Sequence, residues 1–110
     1  MPLFEHREQA YEAKFAHDEE LRFKVMVRRS RLFAGWVAQQ LKLSGDQAEA
    51  YVRNVTEDFF QPGGQRDLVD AALAELAAAG STLTRAEIAV AFEGFDRVAK
   101  QEIVAEQAQG

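Results

Sequence analysis

The side chains able to do chemistry are few and scattered. His6 and His17 are the chain's two imidazoles, eleven residues apart. On one helix that spacing gives a shared face and a separation of about 16 Å. A metal pair on a helix needs i,i+3 or i,i+4 spacing, so the two do not form a metal site. Two solvated histidines on an exposed face fit better, with tuning of binding by pH as the alternative. The chain has no cysteine, which removes disulfides, thiolate ligands and cysteine nucleophiles together. Ser44, Ser81, Thr82 and Thr84 sit at loop and cap positions with no histidine near them in sequence. They read as helix caps rather than nucleophiles. The carboxylate neighbours Glu57-Asp58 and Asp67/Asp70 fall near helix ends, where they suit the helix dipole better than acid–base catalysis. Pro62-Gly63-Gly64 lacks the Lys-Ser/Thr of a phosphate loop and reads as a turn. No catalytic residue, metal site, cofactor or enzymatic activity is expected.

The arginines remain. Lys24, Arg28 and Arg31 make an exposed basic stripe, but on one short helix with no exposed aromatics between them. The net charge of -5 also argues against nucleic acid. Arg22 and Arg29 differ, because a helical wheel places both inside the arc bounded by Trp36 and Phe33. One reading gives them snorkelling stems and carboxylate partners on another helix, such as Asp58. The other makes them a small anion or nucleotide site in a regulatory bundle.

These residues are positioned by helices. A chain of 110 residues, 47% hydrophobic and 28% charged, has the length of one domain and the composition of a folded one. No apolar run approaches the roughly 20 residues of a membrane span, and no signal peptide opens the chain. A cytoplasmic protein, monomeric when free, is expected. Leu21, Val25, Leu32 and Trp36 form one apolar stripe and Met26, Phe33 and Val37 a second, which together give a wide core-facing surface. Trp36 is expected to anchor the core, with Gly35 admitting a neighbouring helix. Ser44 and Gln47 have capping-box spacing, and Ala48, Tyr51, Val52, Val55 and Phe59 then repeat with the helical period. Gln61-Pro62-Gly63-Gly64 breaks the pattern. Leu68, Val69, Ala72, Leu73 and Leu76 share one face of a third helix that Gly80 stops. Thr84 with Glu87 is a second capping box, and Leu83 with Ile88 a hydrophobic staple. The fourth helix buries Ile88, Ala91, Phe92, Phe95, Ala99 and Ile103. The expected helices are 19–42, 46–60, 66–79 and 85–107, an all-α four-helix bundle with connections of three to six residues.

The first stretch does not fit inside that bundle. A single helix from Phe4 to Lys42 would be about 58 Å long. The later helices, about 22, 21 and 34 Å, cover little beyond Leu21 to Leu41. Residues 1–20 hold six acids (Glu5, Glu8, Glu12, Asp18, Glu19, Glu20) and two bases (Arg7, Lys14), whereas Arg22, Lys24, Arg28, Arg29 and Arg31 follow with no acid among them. Asp18 to Arg22 and Glu20 to Lys24 are i,i+4 pairs in the favourable order. Before the charge reversal only Phe4, Tyr11 and Phe15 recur at helical spacing, a thin stripe that is marginal in water without tertiary cover. Residues 1–18 are therefore expected to be a mobile or weakly helical extension that needs a partner. Folding back on the chain's own bundle is the alternative way to cover the stripe.

Phe4-Glu5-His6-Arg7-Glu8, the run from Glu12-Ala13-Lys14-Phe15 through Leu21-Arg22-Phe23-Lys24, Arg28-Arg29 and Gly35-Trp36 resemble the zeta subunit family. These are the small ATPase inhibitor proteins of alphaproteobacterial F1Fo-ATP synthases. Asp58-Phe59 followed by Pro62-Gly63 fits the same pattern, and the likeness runs nearly to Leu76. Ser30 departs from it, standing where the family usually has Asn. The resemblance implies a four-helix fold, F1 α, β and γ subunits as partners, and a place beside the inner membrane when bound. It implies an N-terminal segment, about Pro2 to Asp18 here, that enters a catalytic α/β interface and blocks hydrolytic rotation. Phe4, Tyr11 and Phe15 would then supply the apolar contact. Glu5, Arg7, Glu8, Glu12 and Lys14 would set its register by charge.

Overall fold

In a computed structural model of the chain, residues 18–61 and 67–109 are described. Among the described residues four helices form: α1 Glu19–Gln40, α2 Gly45–Phe59, α3 Leu68–Ala78 and α4 Arg85–Gln109. No strand occurs among the described residues, so the all-α bundle expected from the apolar period is the fold. The extension 1–17 and the turn at 62–66 lie outside the described residues. The link between α2 and α3, residues 60–67, is longer than the short connections expected.

The first helix starts where the charge pattern changes. Asp18 is extended (φ -122°, ψ 101°) and caps α1, its carboxylate accepting from Leu21 N at 3.1 Å. A helix unbroken from Phe4 to Lys42 would need helical dihedrals at Asp18, so that possibility is ruled out. Capping also diverts Asp18 from Arg22, which instead pairs with Glu19 at 3.9 Å. The Glu20–Lys24 pair forms as expected, at 3.4 Å.

The far end of α1 falls short of the expected Lys42. Lys42 takes the left-handed conformation, φ 63°. Its N–H donates to Gln39 O and that of Leu43 to Ala38 O, both at 3.0 Å, a Schellman closure made without glycine. Ser44 occupies the N-cap position of α2, yet its side chain makes no capping bond. Gly45, at φ 55°, departs from the regular first turn that the expected Ser44–Gln47 box requires.

The other ends follow the local chemistry. Asp67 caps α3, accepting from Val69 N at 2.9 Å and Asp70 N at 3.2 Å, so the helix begins later than residue 66. Gly80, at φ 89°, closes α3 with Ser81 N donating to Leu76 O at 2.9 Å. Thr84 and Glu87 form the reciprocal box: Glu87 N donates to Thr84 Oγ1 at 3.1 Å, and Thr84 N to Glu87 Oε1 at 3.0 Å. Leu83 packs on the cluster that contains Ile88, which makes the expected staple.

Helix α1 is the axis of the bundle and contacts the other three helices. Two apolar clusters lie along it. Phe33 and Val37 join Val69, Ala72, Leu76 and Ile88 in the larger one. Leu21 and Val25 join Ala99 and Ile103 in the smaller. Helix α4 thus runs antiparallel to α1, its start at the large cluster and its end at the small one. Leu76, Ile88 and Val37 are fully buried, each contributing about 1.5–3 kcal/mol. Contact on several sides turns the buried face of α1 from the two stripes read off the wheel. Ser30, Ala34 and Ala38 are buried, whereas Met26, Leu32 and Trp36 are only half-buried. Trp36 stacks on Phe33 at 5.9 Å from the flank of the core. Gly35 admits no neighbour, since a Cβ there would meet nothing within 4 Å.

Candidate partner-binding surface

The charged residues of α1 sort by the helix they face. Arg28 reaches Glu102 Oε1 with Nη1 at 2.9 Å and Glu106 Oε1 with Nη2 at 2.6 Å. Hydrogen bonds to Glu106 and then Glu102 hold its guanidinium pKa above the usual arginine value. Arg29 donates to Asp96 at 3.1 Å and lies over the Phe92 ring at 4.7 Å, and Lys100 pairs with the other oxygen of Asp96 at 3.0 Å. This network fastens the second half of α4 over the first half of α1, where the apolar cluster is small.

Arg22 and Arg29 have different surroundings. Seven positions apart, they are separated by about 10.5 Å along the helix axis. Arg22 sits on the exposed first turn beside Glu19, and Arg29 at the contact with α4. The carboxylate expected for a snorkelling arginine is present, but it is Asp96 on α4 rather than Asp58 on α2. The helical wheel fixes which side of α1 Arg29 occupies, not which helix stands there.

Elsewhere the ionisable groups tie helix ends together. Arg85 Nε meets Asp70 at 2.6 Å and its Nη2 meets Asp67 at 3.1 Å, which joins the starts of α3 and α4. Asp67 is held below the usual carboxylate range first by the backbone N–H of Asp70, and Glu87 by that of Thr84. Among the described residues no group of three or more His, Cys, Asp or Glu side chains could hold a metal ion. None of the described helices is long and apolar enough to cross a membrane.

Phe4, Glu5, Arg7, Glu8, Tyr11, Glu12, Lys14 and Phe15, the residues assigned to partner contact, lie outside the described residues. The described residues carry a feature that the apolar stripes did not predict. Phe23 on α1 and Phe60 at the end of α2 are both exposed, their ring centroids 5.4 Å apart. Phe23 falls on neither apolar stripe of α1, and that mismatch was the available signal.

The described residues thus make a small all-α bundle. The family model for ATPase inhibitor subunit zeta matches residues 1–102, and the chain belongs to that family. The match extends past Leu76 through most of α4, so the last two helices carry family character as well. Among curated proteins none matches the chain significantly. Membership indicates an ATPase inhibitor subunit and implies the F1 part of an ATP synthase as partner.

Proposed function

We propose that the protein is a non-catalytic inhibitor of F1 whose residues 1–17 enter a catalytic α/β interface and block ATP hydrolysis and reverse rotation. The observation carrying this reading is the family match, which begins at residue 1 and takes in the whole stretch before the Asp18 cap. That stretch holds the Phe4, Tyr11 and Phe15 stripe, and the helix of the bundle starts just after it. Burying three such side chains contributes about 5–9 kcal/mol. Ordering a segment of this length on binding costs about 2–5 kcal/mol, so an apolar groove on F1 can hold it. Glu5, Arg7, Glu8, Glu12 and Lys14 fix register against the α, β and γ subunits. The bundle stays outside as a plug and limits how far the segment slides.

Replacing Phe4, Tyr11 and Phe15 together by serine tests the reading. Inhibition of purified F1 should fall by at least 100-fold in apparent affinity while the bundle keeps its cooperative melting. Full inhibition by the triple variant would contradict the proposal.

A further inference from the structure

The two halves of α4 are held by different forces. Helix α3 begins beside the start of α4, where Arg85 meets Asp67 and Asp70. With 11 residues, α3 is about 16 Å long and can accompany α4 no further than about Phe95. Up to that point Ile88, Phe92 and Phe95 pack into the larger cluster with residues of α1 and α3. Beyond it, Ala99, Ile103 and Val104 meet Leu21, Val25 and Leu32, so this smaller cluster is built from α1 and α4 alone. Its edge is open to water along a groove of about 310 Å³ lined by Lys24, Ile103, Glu106 and Gln107.

Charge supplies much of what holds this second half. Asp96, at its start, is bound by Arg29, and Arg28 grips both Glu102 and Glu106 further along. Arg28 is 27% exposed, Glu102 43% and Glu106 56%, so dissolved ions reach this grip. Between the halves stands Gly94, the one glycine of α4. A Cβ there would meet nothing within 4 Å, so packing does not call for glycine. Its effect is to weaken the helix at the boundary.

We propose that residues 96–109 form a strap that opens from α1 as one unit, hinged at Gly94, while the larger cluster stays folded. Regions with few buried apolar contacts open locally at less cost than the whole fold. Of the strap's own side chains only Ala99 and Ile103 are buried. The Arg28 grip is the latch, and it loosens with salt, because the Debye length falls from about 10 Å at 0.1 M to about 3 Å at 1 M. Opening uncovers Leu21 and Val25, which lie in the first two turns of α1 after the Asp18 cap. Ionic strength therefore sets how firmly the start of α1 is held. Any bearing of the strap on inhibition rests on the function proposed above, whereas the opening itself does not.

Native-state amide exchange on the full chain tests this without F1. The amides of Ala99, Glu102, Ile103 and Val104 should share one opening constant, about 10-fold or more above that of Leu76 and Ile88. Raising salt from about 0.05 to about 1 M should speed their exchange about threefold relative to Leu76 and Ile88. Arg28→Gln should reproduce that acceleration at low salt and remove most of the salt response. Gly94→Ala should slow the opening by about threefold. Protection that declines steadily towards Gln109 would mean simple fraying and would overturn the proposal. So would exchange at Val104 that matches Leu76 in every condition, since α4 would then open only with the core. Opening unaltered by salt would remove the latch, and opening unaltered by Gly94→Ala would remove the hinge; either result contradicts the proposal.

Discussion

Arg29 of α1 donates from Nη1 to Asp96 Oδ1 of α4 at 3.1 Å, with its guanidinium carbon 4.7 Å from the centroid of Phe92. Both side chains are about three-quarters covered, and Arg29 Nε is buried without a partner among the described residues. The two halves of this pair are consequently not equivalent. Asp96→Ala strands a half-buried cation and should cost about 1–3 kcal/mol, between the exposed and fully buried limits. Arg29→Met removes the cation together with its orphaned Nε, and Asp96 keeps Lys100 at 3.0 Å, so the cost should stay within about 1 kcal/mol. Urea denaturation of the two variants gives the order; a larger loss for Arg29→Met would contradict it.

That pair also marks where sequence reasoning ran out. Thr84 and Glu87 were legible as a box because both partners lie within one turn. The boundary at Asp18 was legible because charge sign and apolar density change together there. The partner of Arg29 was not, since Asp58 and Asp96 are equally good carboxylates until α2 and α4 are placed around α1. Ser30 escaped for the same reason. A polar residue on a helix packed from several sides can be fully buried, as Ser30 is, with no trace in a two-stripe wheel. Phe23 was the reverse case, an apolar residue outside the stripes whose neighbour Phe60 comes from another helix.

Two backbone positions, one within α1 and one just past its end, are improvable. Nothing fills the space beside Gly35, so Gly35→Ala should stabilise the bundle by about 0.5–1 kcal/mol through helix propensity. Lys42 holds φ 63°, a conformation that costs a side-chain-bearing residue about 1–2 kcal/mol. Lys42→Gly should therefore raise stability by about 1 kcal/mol, less the added freedom of the unfolded chain. Thermal melts of the single variants measure both effects. A lower melting temperature for Gly35→Ala would mean that another helix does approach there.

Acid should weaken the starts of α3 and α4. The folded pKa values of Asp67 and Glu87 lie below their ordinary values of 3.8 and 4.5. A carboxylate shifted down in the folded state adds stability above its unfolded pKa and loses that contribution as pH falls through the folded one. Asp67→Ala and Glu87→Ala should thus lower the melting temperature at pH 7, with the gap to the parent narrowing as pH falls from 5 towards 2. A gap that stays constant over that range would show that charge plays no part in these caps.

Inhibition is proposed to reside before Asp18, with the bundle as a separate folded unit. Deleting residues 1–17 tests it, with the cut placed so that Asp18 still caps α1. ATP hydrolysis by purified F1 should be inhibited by the full chain and unaffected by the truncated one, whose helical melting remains cooperative. Undiminished inhibition by the truncated bundle would contradict the claim and place the inhibitory contact on the four helices themselves.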